Sequence, residues 1–405
     1  MIKLMVNMNR VKAWYQEIVE LTEVEAGYTR LAFSDKEEAA HKWLIHKLEA
    51  IQCSVKQDRI HNVYGRMGDT TGPSIAFGSH LDTVPDGGLF DGTLGVIAGL
   101  ECLYMLYEQH VQPDVPLELI CFTGEEANIL GGTFGSRAIA GLVTFTTEFE
   151  QKSRQLGFSK DDLESVRKKK GDFISFLEMH IEQGAVLEQS HQKIGIVEGI
   201  AGMIRLDVHL YGKAAHAGTT PMSMRDDALV LAARLVQSVN EWAAEPNSQV
   251  VATIGRLQVI PNTPSVVPGE VQLIVEVRGM NWKKVLNLKN RVEEWLLMNG
   301  QNQFKTVVEK HPAALSDSVK LEINRATASL SIPFINMVSG ANHDTNAMST
   351  LTDTGMIFVP SRGGISHHPD EYTSWEDIKT GIQVMFQSLM NLYEKHLGGR
   401  TQNDE

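Results

Sequence analysis

Apolar and polar positions follow two rhythms along this chain, and the change between them near residue 200 predicts a second domain inserted into the first. In the first part Ser34-Asp35-Lys36-Glu37 has the spacing of a capping box. The run 38–51 after it sets Ala39, Ala40, Trp43, Leu44, Leu48 and Ile51 on one helical face. Ser74-Ile75-Ala76-Phe77 is a short apolar run, as in a strand buried in a parallel sheet, the stretch 117–123 looks like a second buried strand, and 92–106 reads as a helix between them. Strand and helix alternate in this way to about residue 200, which predicts a sheet with helices on both faces.

From about residue 203 the period becomes two. Arg205-Leu206-Asp207-Val208-His209-Leu210-Tyr211-Gly212 alternates polar and apolar residues like a half-exposed antiparallel strand. A helical run at 225–243, strands at 250–257 and 271–278, and a helix at 282–297 follow. The order strand, helix, strand, strand, helix, strand is that of a ferredoxin-like α+β unit, placed at 203–312. The first rhythm resumes with a helix at 318–328 and a buried strand at Met356-Ile357-Phe358-Val359-Pro360, so 1–202 and 313–405 form one interrupted α/β domain. The tail 398–405 is expected to be disordered.

Composition narrows the setting. A chain of 405 residues, 42% of them hydrophobic, buries a large core and suits two domains. A net charge of −13 argues against nucleic acid or an anionic membrane surface as partner. The largest basic cluster, Arg167-Lys168-Lys169-Lys170, reads as a solvated helix face. The three cysteines, Cys53, Cys102 and Cys121, lack paired spacing and suit buried thiols in a reducing compartment. The N-terminal stretch lacks the apolar length and cleavage site of a signal peptide, and no segment is long enough to span a bilayer, so a cytoplasmic protein is expected.

The chemistry sits at the ends of the buried strands. Gly78-Ser79-His80-Leu81-Asp82-Thr83-Val84 follows the first, at the edge where open α/β sheets gather ligands, and Asp91 comes eleven residues after His80 at the head of a helix. Glu125-Glu126 follows the second. One carboxylate of such a pair can ligate a metal while the other faces a bound water as general base. His180 and His367 lie in Met179-His180-Ile181-Glu182-Gln183-Gly184 and Gly363-Gly364-Ile365-Ser366-His367. Taken singly, His80 also suits a polar residue at a strand end, the glutamates a solvated turn and His367 a surface loop. Together, His80, Asp91, Glu126, His180 and His367 form a mixed N/O set suited to zinc or manganese, and sharing Asp91 gives each of two metals three protein ligands and an open position.

These motifs, with His216-Ala217-Gly218-Thr219-Thr220-Pro221-Met222 and Ser339-Gly340-Ala341-Asn342-His343-Asp344, resemble the amidase, hydantoinase/carbamoylase-type family. That family holds N-carbamoyl-L-amino-acid hydrolases, allantoate amidohydrolases and β-ureidopropionases, within the superfamily of two-metal aminoacylases and carboxypeptidases. The resemblance runs from about residue 29 to 373. It implies one metal on His80, Asp91 and His180, a second on Asp91, Glu126 and His367, Glu125 as base, and Asp82 orienting a ligand histidine. It also implies that His216 stabilises the oxyanion and that Arg278 binds a substrate carboxylate, aided by Gln183, His343, Ser265 and Gly364. From the sequence alone a histidine in a loop such as that of His216 is more often merely exposed, and Arg278 equally suits a salt bridge with Glu276 or Glu270. A homodimer through the inserted domain is implied as well.

The reaction expected is hydrolysis of a small N-carbamoyl or ureido acid. The rival readings are a dipeptidase or aminoacylase of the same superfamily and a catalytically silent binding protein, which would be expected to have lost Glu125 or a metal ligand. Departures from the family pattern touch the pocket wall only: Ala127-Asn128-Ile129-Leu130 replaces Gly-x-Arg-Phe after the double glutamate, Ser265 an asparagine and Asn342 a glycine. They leave the exact substrate open.

Overall fold

The computed structural model describes residues 5–69 and 71–401 and divides into two compact units, Met1–Glu198 with Leu315–Glu405, and Gly199–Ala314. The first is built on a mixed sheet whose strands run in the order Ile194–Ile200, Asp353–Val359, Phe173–Ile181, Ser74–His80, Leu117–Phe122, Val63–Met67, Ser54–Gln57. Asp353–Val359, Phe173–Ile181, Ser74–His80 and Leu117–Phe122 are mutually parallel; Ile194–Ile200 and Val63–Met67 on either side run antiparallel to them, and Ser54–Gln57 runs antiparallel to Val63–Met67. Every residue of Ser74–His80 and Leu117–Phe122 is buried, which is why neither reads as a regular polar/apolar alternation.

Helices cover both faces. Thr93–Glu108 and Trp375–Thr401 pack in one core with Phe77, Leu119 and Ile357; Phe134–Ile139 and the end of the short helix Asp344–Met348 share the other with Ile120, Phe122 and Phe176. The helix Trp375–Thr401 runs into the stretch expected to be disordered; residues 402–405 lie outside the described ones. Arg167 to Lys170 lie beyond the end of the helix Lys160–Ser165, so the basic run is a loop and not a helix face. Cys53, Cys102 and Cys121 are buried and free. Among the described residues no helix is long and apolar enough to cross a membrane.

The second unit carries a four-stranded antiparallel sheet in the order Val251–Ile260, Glu270–Gly279, Gly202–Tyr211, Gln301–Lys310. Gly202–Tyr211 alternates buried and half-buried along its whole length, as its period of two requires. Its buried face meets the helices Ala228–Ala243 and Trp282–Met298 in a core of Leu206, Val208, Leu235, Val275 and Leu288. The first of these helices starts three residues later than its apolar pattern, because Asp227 caps the N–H groups of Leu229 and Val230.

The capping box of the helix Asp35–Ala50 forms by half. Ser34 Oγ accepts from the Glu37 N–H at 3.3 Å, but the Glu37 carboxylate turns inward to take the N–H groups of Phe33 at 2.5 Å and Gly124 at 3.0 Å. On the same helix His41 is buried, and its Nε2 finds no hydrogen-bond partner. Burial, only partly opposed by Asp82, pushes its pKa down to about 4, with His61 and Arg30 adding to the fall and Glu38 opposing it. The folded pKa lies below the unfolded one, so the stability present above pH 6.5 is lost as pH falls toward 4, by roughly 2–3 kcal/mol. His41→Gln should flatten that acid limb; equal losses of urea midpoint between pH 7 and 4.5 in both proteins would assign it to other groups.

Candidate metal and acid-base site

The four parallel strands end on one edge of the sheet, and each hands the chain to a residue with chemistry. Ser74–His80 ends in His80, Leu117–Phe122 leads through Thr123 and Gly124 to Glu125 and Glu126, Phe173–Ile181 carries His180 one residue from its end, and Asp353–Val359 runs on to the loop of Ser366 and His367. Asp91 enters from the start of the helix Thr93–Glu108, whose N-cap Gly92 has φ +60°. A side chain at Gly92 would overlap the His80 ring, and its N–H donates to His180 Nε2 at 3.2 Å. Glycine is therefore required twice there, for its conformation and for its lack of a Cβ.

The five residues read as ligands come together in two groups that share Asp91: His80, Asp91 and His180, and Asp91, Glu126 and His367, with all donor atoms of a group within 4.8 Å of one another. His180 Nε2 lies 3.1 Å and His80 Nε2 3.6 Å from Asp91 Oδ1; His367 Nε2 lies 3.4 Å from Asp91 Oδ2 and 3.2 Å from Glu126 Oε1. Donors held tetrahedrally at about 2.0–2.2 Å from a common cation would be about 3.3–3.6 Å apart, so the spacing fits a first-row divalent metal. Main-chain carbonyls set the imidazoles: His80 Nδ1 is 3.0 Å from the Asp82 oxygen and His180 Nδ1 2.9 Å from that of Ile181. A carbonyl only accepts, so each Nδ1 carries the proton and each Nε2 presents its lone pair to the site.

Electrostatics point the same way. Burial works against a charged His80, yet Glu125, Asp82 and Asp91 together hold it well above the ordinary imidazole range. Asp91 is also buried, and the three histidines hold it well below the usual carboxylate range. Such a cluster of acids calls for positive charge at its centre. Glu125 stands apart from the ligand set: its Oε2 lies 3.7 Å from His80 Nε2, and burial, with repulsion from Glu126, Asp344 and Asp82 against the pull of His80, raises its pKa well above the usual value. A raised carboxylate beside a metal site suits a base that must hold a proton during the reaction.

Asp82 does more than orient a histidine. Its carboxylate accepts the N–H groups of Glu125 at 3.1 Å and of Glu126 at 2.9 Å, so one acid positions both members of the pair. Asp91 is braced on its second oxygen by Gln183 Nε2 at 2.7 Å and Ser366 Oγ at 2.9 Å, while Glu371 Oε1 takes the N–H groups of Phe90 and Asp91 at 2.9 and 3.0 Å. Gln183 thus touches the carboxylate shared by the two donor groups. His343 is buried, bonded through Nε2 to Ser339 Oγ at 2.9 Å and edge-on to the His180 ring at 4.6 Å, and burial and His180 keep its pKa well below the ordinary value. Gly364 has φ +67°, and a Cβ would sit 2.8 Å from the Ala185 nitrogen. Asn342 is tied to Asn346 at 2.7 Å and Thr133 at 3.3 Å. Ile129 is half exposed.

In the second unit His216 is exposed on the short strand Ala215–His216, paired with Val266–Val267, and its Nδ1 accepts from the Gly218 N–H at 3.1 Å. Arg225 holds that loop through the carbonyls of Ala217 and Thr220, and the Ser265 carbonyl takes the Ala217 N–H at 2.8 Å. Arg278 Nε meets Glu276 Oε1 at 2.6 Å, the salt-bridge partner open from the sequence, and Glu276 also takes Arg205 Nε at 2.5 Å.

The sequence pattern of Peptidase family M20/M25/M40 matches residues 76–391. This chain belongs to that family. It is 35% identical over 401 residues to the N-carbamoyl-L-amino-acid amidohydrolase of Paenarthrobacter aurescens, covering 93% of this chain and 97% of that one. It is 31% identical over 388 residues to the allantoate amidohydrolase of Bacillus subtilis, covering 91% and 93%. Among solved structures, a hydantoinase/carbamoylase-family amidase from Burkholderia multivorans superposes with a TM-score of 0.86 at 28% identity, over 96% of this chain and 98% of that one. The M20/M25/M40 match begins at residue 76, yet two buried residues before it support the site. The Glu37 carboxylate holds Gly124, and the Arg30 guanidinium, fully buried, donates to the Leu81 carbonyl at 2.5 Å and to Thr93 Oγ1 at 3.0 Å.

Proposed function

We propose that this chain is a metal-dependent amidohydrolase cleaving the C–N bond of a small N-carbamoyl or ureido acid. The observation that carries the reading is the pair of three-residue donor groups sharing Asp91, with the raised carboxylate of Glu125 beside them. His80, Asp91 and His180 would hold one divalent cation and Asp91, Glu126 and His367 a second, zinc or manganese, supplying the Lewis acidity that makes water nucleophilic near neutral pH.

Glu125 takes the proton of the attacking water. The oxygen adds to the carbamoyl or ureido carbon, and the protonated Glu125 returns the proton to the departing nitrogen, so that acid and base are one residue. His216 serves as the donor to the oxyanion, and Arg278 as the anchor for the substrate carboxylate, its plane steadied by Glu276. For an N-carbamoyl amino acid the products are the amino acid, ammonia and carbon dioxide. Apolar exposure at Val251, Leu257, Leu297 and Met298 on the inserted unit supports a homodimer formed through it, and the three buried free cysteines support a reducing, cytoplasmic setting.

The test is ammonia release from N-carbamoyl amino acids, allantoate and ureidoglycolate, with release of the free amino acid from N-acyl amino acids and dipeptides followed beside it, after reconstitution with manganese or zinc. Turnover confined to the dipeptides or N-acyl compounds would overturn the reading. On the best acid substrate Arg278→Lys should weaken transition-state binding by roughly 1.5–3 kcal/mol without changing metal content; unaltered kinetics would remove Arg278 from the anchor role.

A further inference from the structure

A second concave surface of the first unit carries charge opposite to that of the chain as a whole. It is a cleft of about 510 Å³, within the roughly 300–1,000 Å³ of small-molecule sites, formed where the strand Ser54–Gln57 and the turn after it meet the loop beyond the helix Lys160–Ser165. Lys56, Arg59, Arg66, Arg167 and Lys168 line it against two carboxylates, Asp58 and Glu118, which leaves an excess of three positive charges in a protein of net charge −13. None of the residues read as metal ligands lines it.

The two acids are spent on the protein itself. Asp58 is buried and accepts from the N–H groups of Ile60 and Asn62, from Asn62 Nδ2 and from the Tyr64 hydroxyl, all at 2.9–3.0 Å. Glu118 takes Ser74 Oγ at 2.6 Å and stands 3.9 Å from Arg66, the one carboxylate within ion-pair reach of any of the five cations among the described residues. Arg66 spends its other donors on the neutral carbonyls of Asp69, Thr71 and Gly72, which hold it in place. Lys168 Nζ lies over the Tyr64 and Phe173 rings at 5.4 and 5.8 Å. Lys56, Arg59 and Arg167 are exposed. Like charges gathered around one concavity repel each other and focus a positive field into it, an arrangement that a bound polyanion relieves.

We infer that this cleft is a binding site for a small ligand carrying two or more phosphate groups. Lysine and arginine side chains are suited to phosphate oxygens, and cations on three separate segments match charge spread along a ligand better than a single monoanion. The floor of the cleft also touches the frame of the metal site: Asn62, bonded to Asp58, accepts the N–H of Thr123 at 2.9 Å, two residues before Glu125.

The test is calorimetric titration of the metal-reconstituted protein with inorganic pyrophosphate, at low and at physiological salt, alongside the double variant Lys56→Ala, Arg167→Ala. Both positions are exposed, so melting temperature, metal content and hydrolytic activity should match those of the unaltered protein. Pyrophosphate drawn to the metal groups binds both proteins alike and cancels in the comparison. The expected result is one additional site per chain in the unaltered protein, weakened by salt, and at least about tenfold weaker in the double variant, since each lost cation removes a charge-assisted contact. No binding by the unaltered protein, or the same stoichiometry and affinity in both, overturns the inference.

Discussion

Glu125→Gln is expected to lower kcat by about 10²–10⁴-fold while leaving the metal content of the protein unchanged. The amide keeps the size and the backbone hydrogen bond to Asp82 but cannot accept a proton from water. Glu125 stands outside both donor groups, its Oε2 3.7 Å from His80 Nε2, so in the proposed mechanism its replacement removes a base rather than a ligand. Glu126→Gln, one residue on, should have the opposite signature, because Glu126 Oε1 shares the second group with His367 at 3.2 Å. Elemental analysis of the two variants side by side decides the matter: equal metal loss in both would mean that the two glutamates have been given each other's roles. In the wild type, kcat/KM should fall on acidification through a limb above the ordinary glutamate range, since Glu125 must be ionised to act and its pKa is raised.

Asp91→Asn should be the most damaging substitution in the chain. Asp91 is the one residue common to both donor groups, so a neutral amide there weakens both at once, whereas His180→Ala or Glu126→Gln weakens one. Removing a partner that merely orients a ligand already costs about 10–100-fold in metal affinity, so loss of the shared ligand should exceed that for each cation and abolish measurable turnover. The carboxylate also receives Gln183 Nε2 and Ser366 Oγ, and an amide turned the wrong way would set N–H against N–H. Retention of a full complement of metal in Asp91→Asn, measured at equilibrium with excess chelator, would exclude a bridging role.

The residues of the two donor groups were legible in the sequence because most stand at a boundary that hydrophobic pattern marks well. His80, Glu126 and His180 lie at or just beyond short, mostly apolar runs, and the parallel sheet then carries those runs to one edge. The supporting residues were not legible. Glu37 looked like half of a capping box, and only the tertiary fold shows its carboxylate leaving Ser34 to hold Gly124, 87 positions away. Arg30 and Glu371 act through main-chain groups 51 and 281 residues distant, and no local spacing announces such a contact. Helix starts slipped where a cap rather than apolar periodicity set them, as at Asp227. The basic run after residue 166 resembled a helix face because composition alone does not say where a helix stops.

The strand order has a consequence for how the chain matures. Asp353–Val359, made after the inserted unit, pairs between Phe173–Ile181 and Ile194–Ile200, both made before it. Until some 170 further residues have left the ribosome, Phe173–Ile181 therefore has an unpaired edge, and eight of its nine residues are of the kind that ends up buried. The contiguous inserted unit can close its own core in that interval while the first unit waits for its last central strand. A nascent chain stalled in the interval would present an edge open to pairing with any similar strand, the kind of exposure from which misassembly starts.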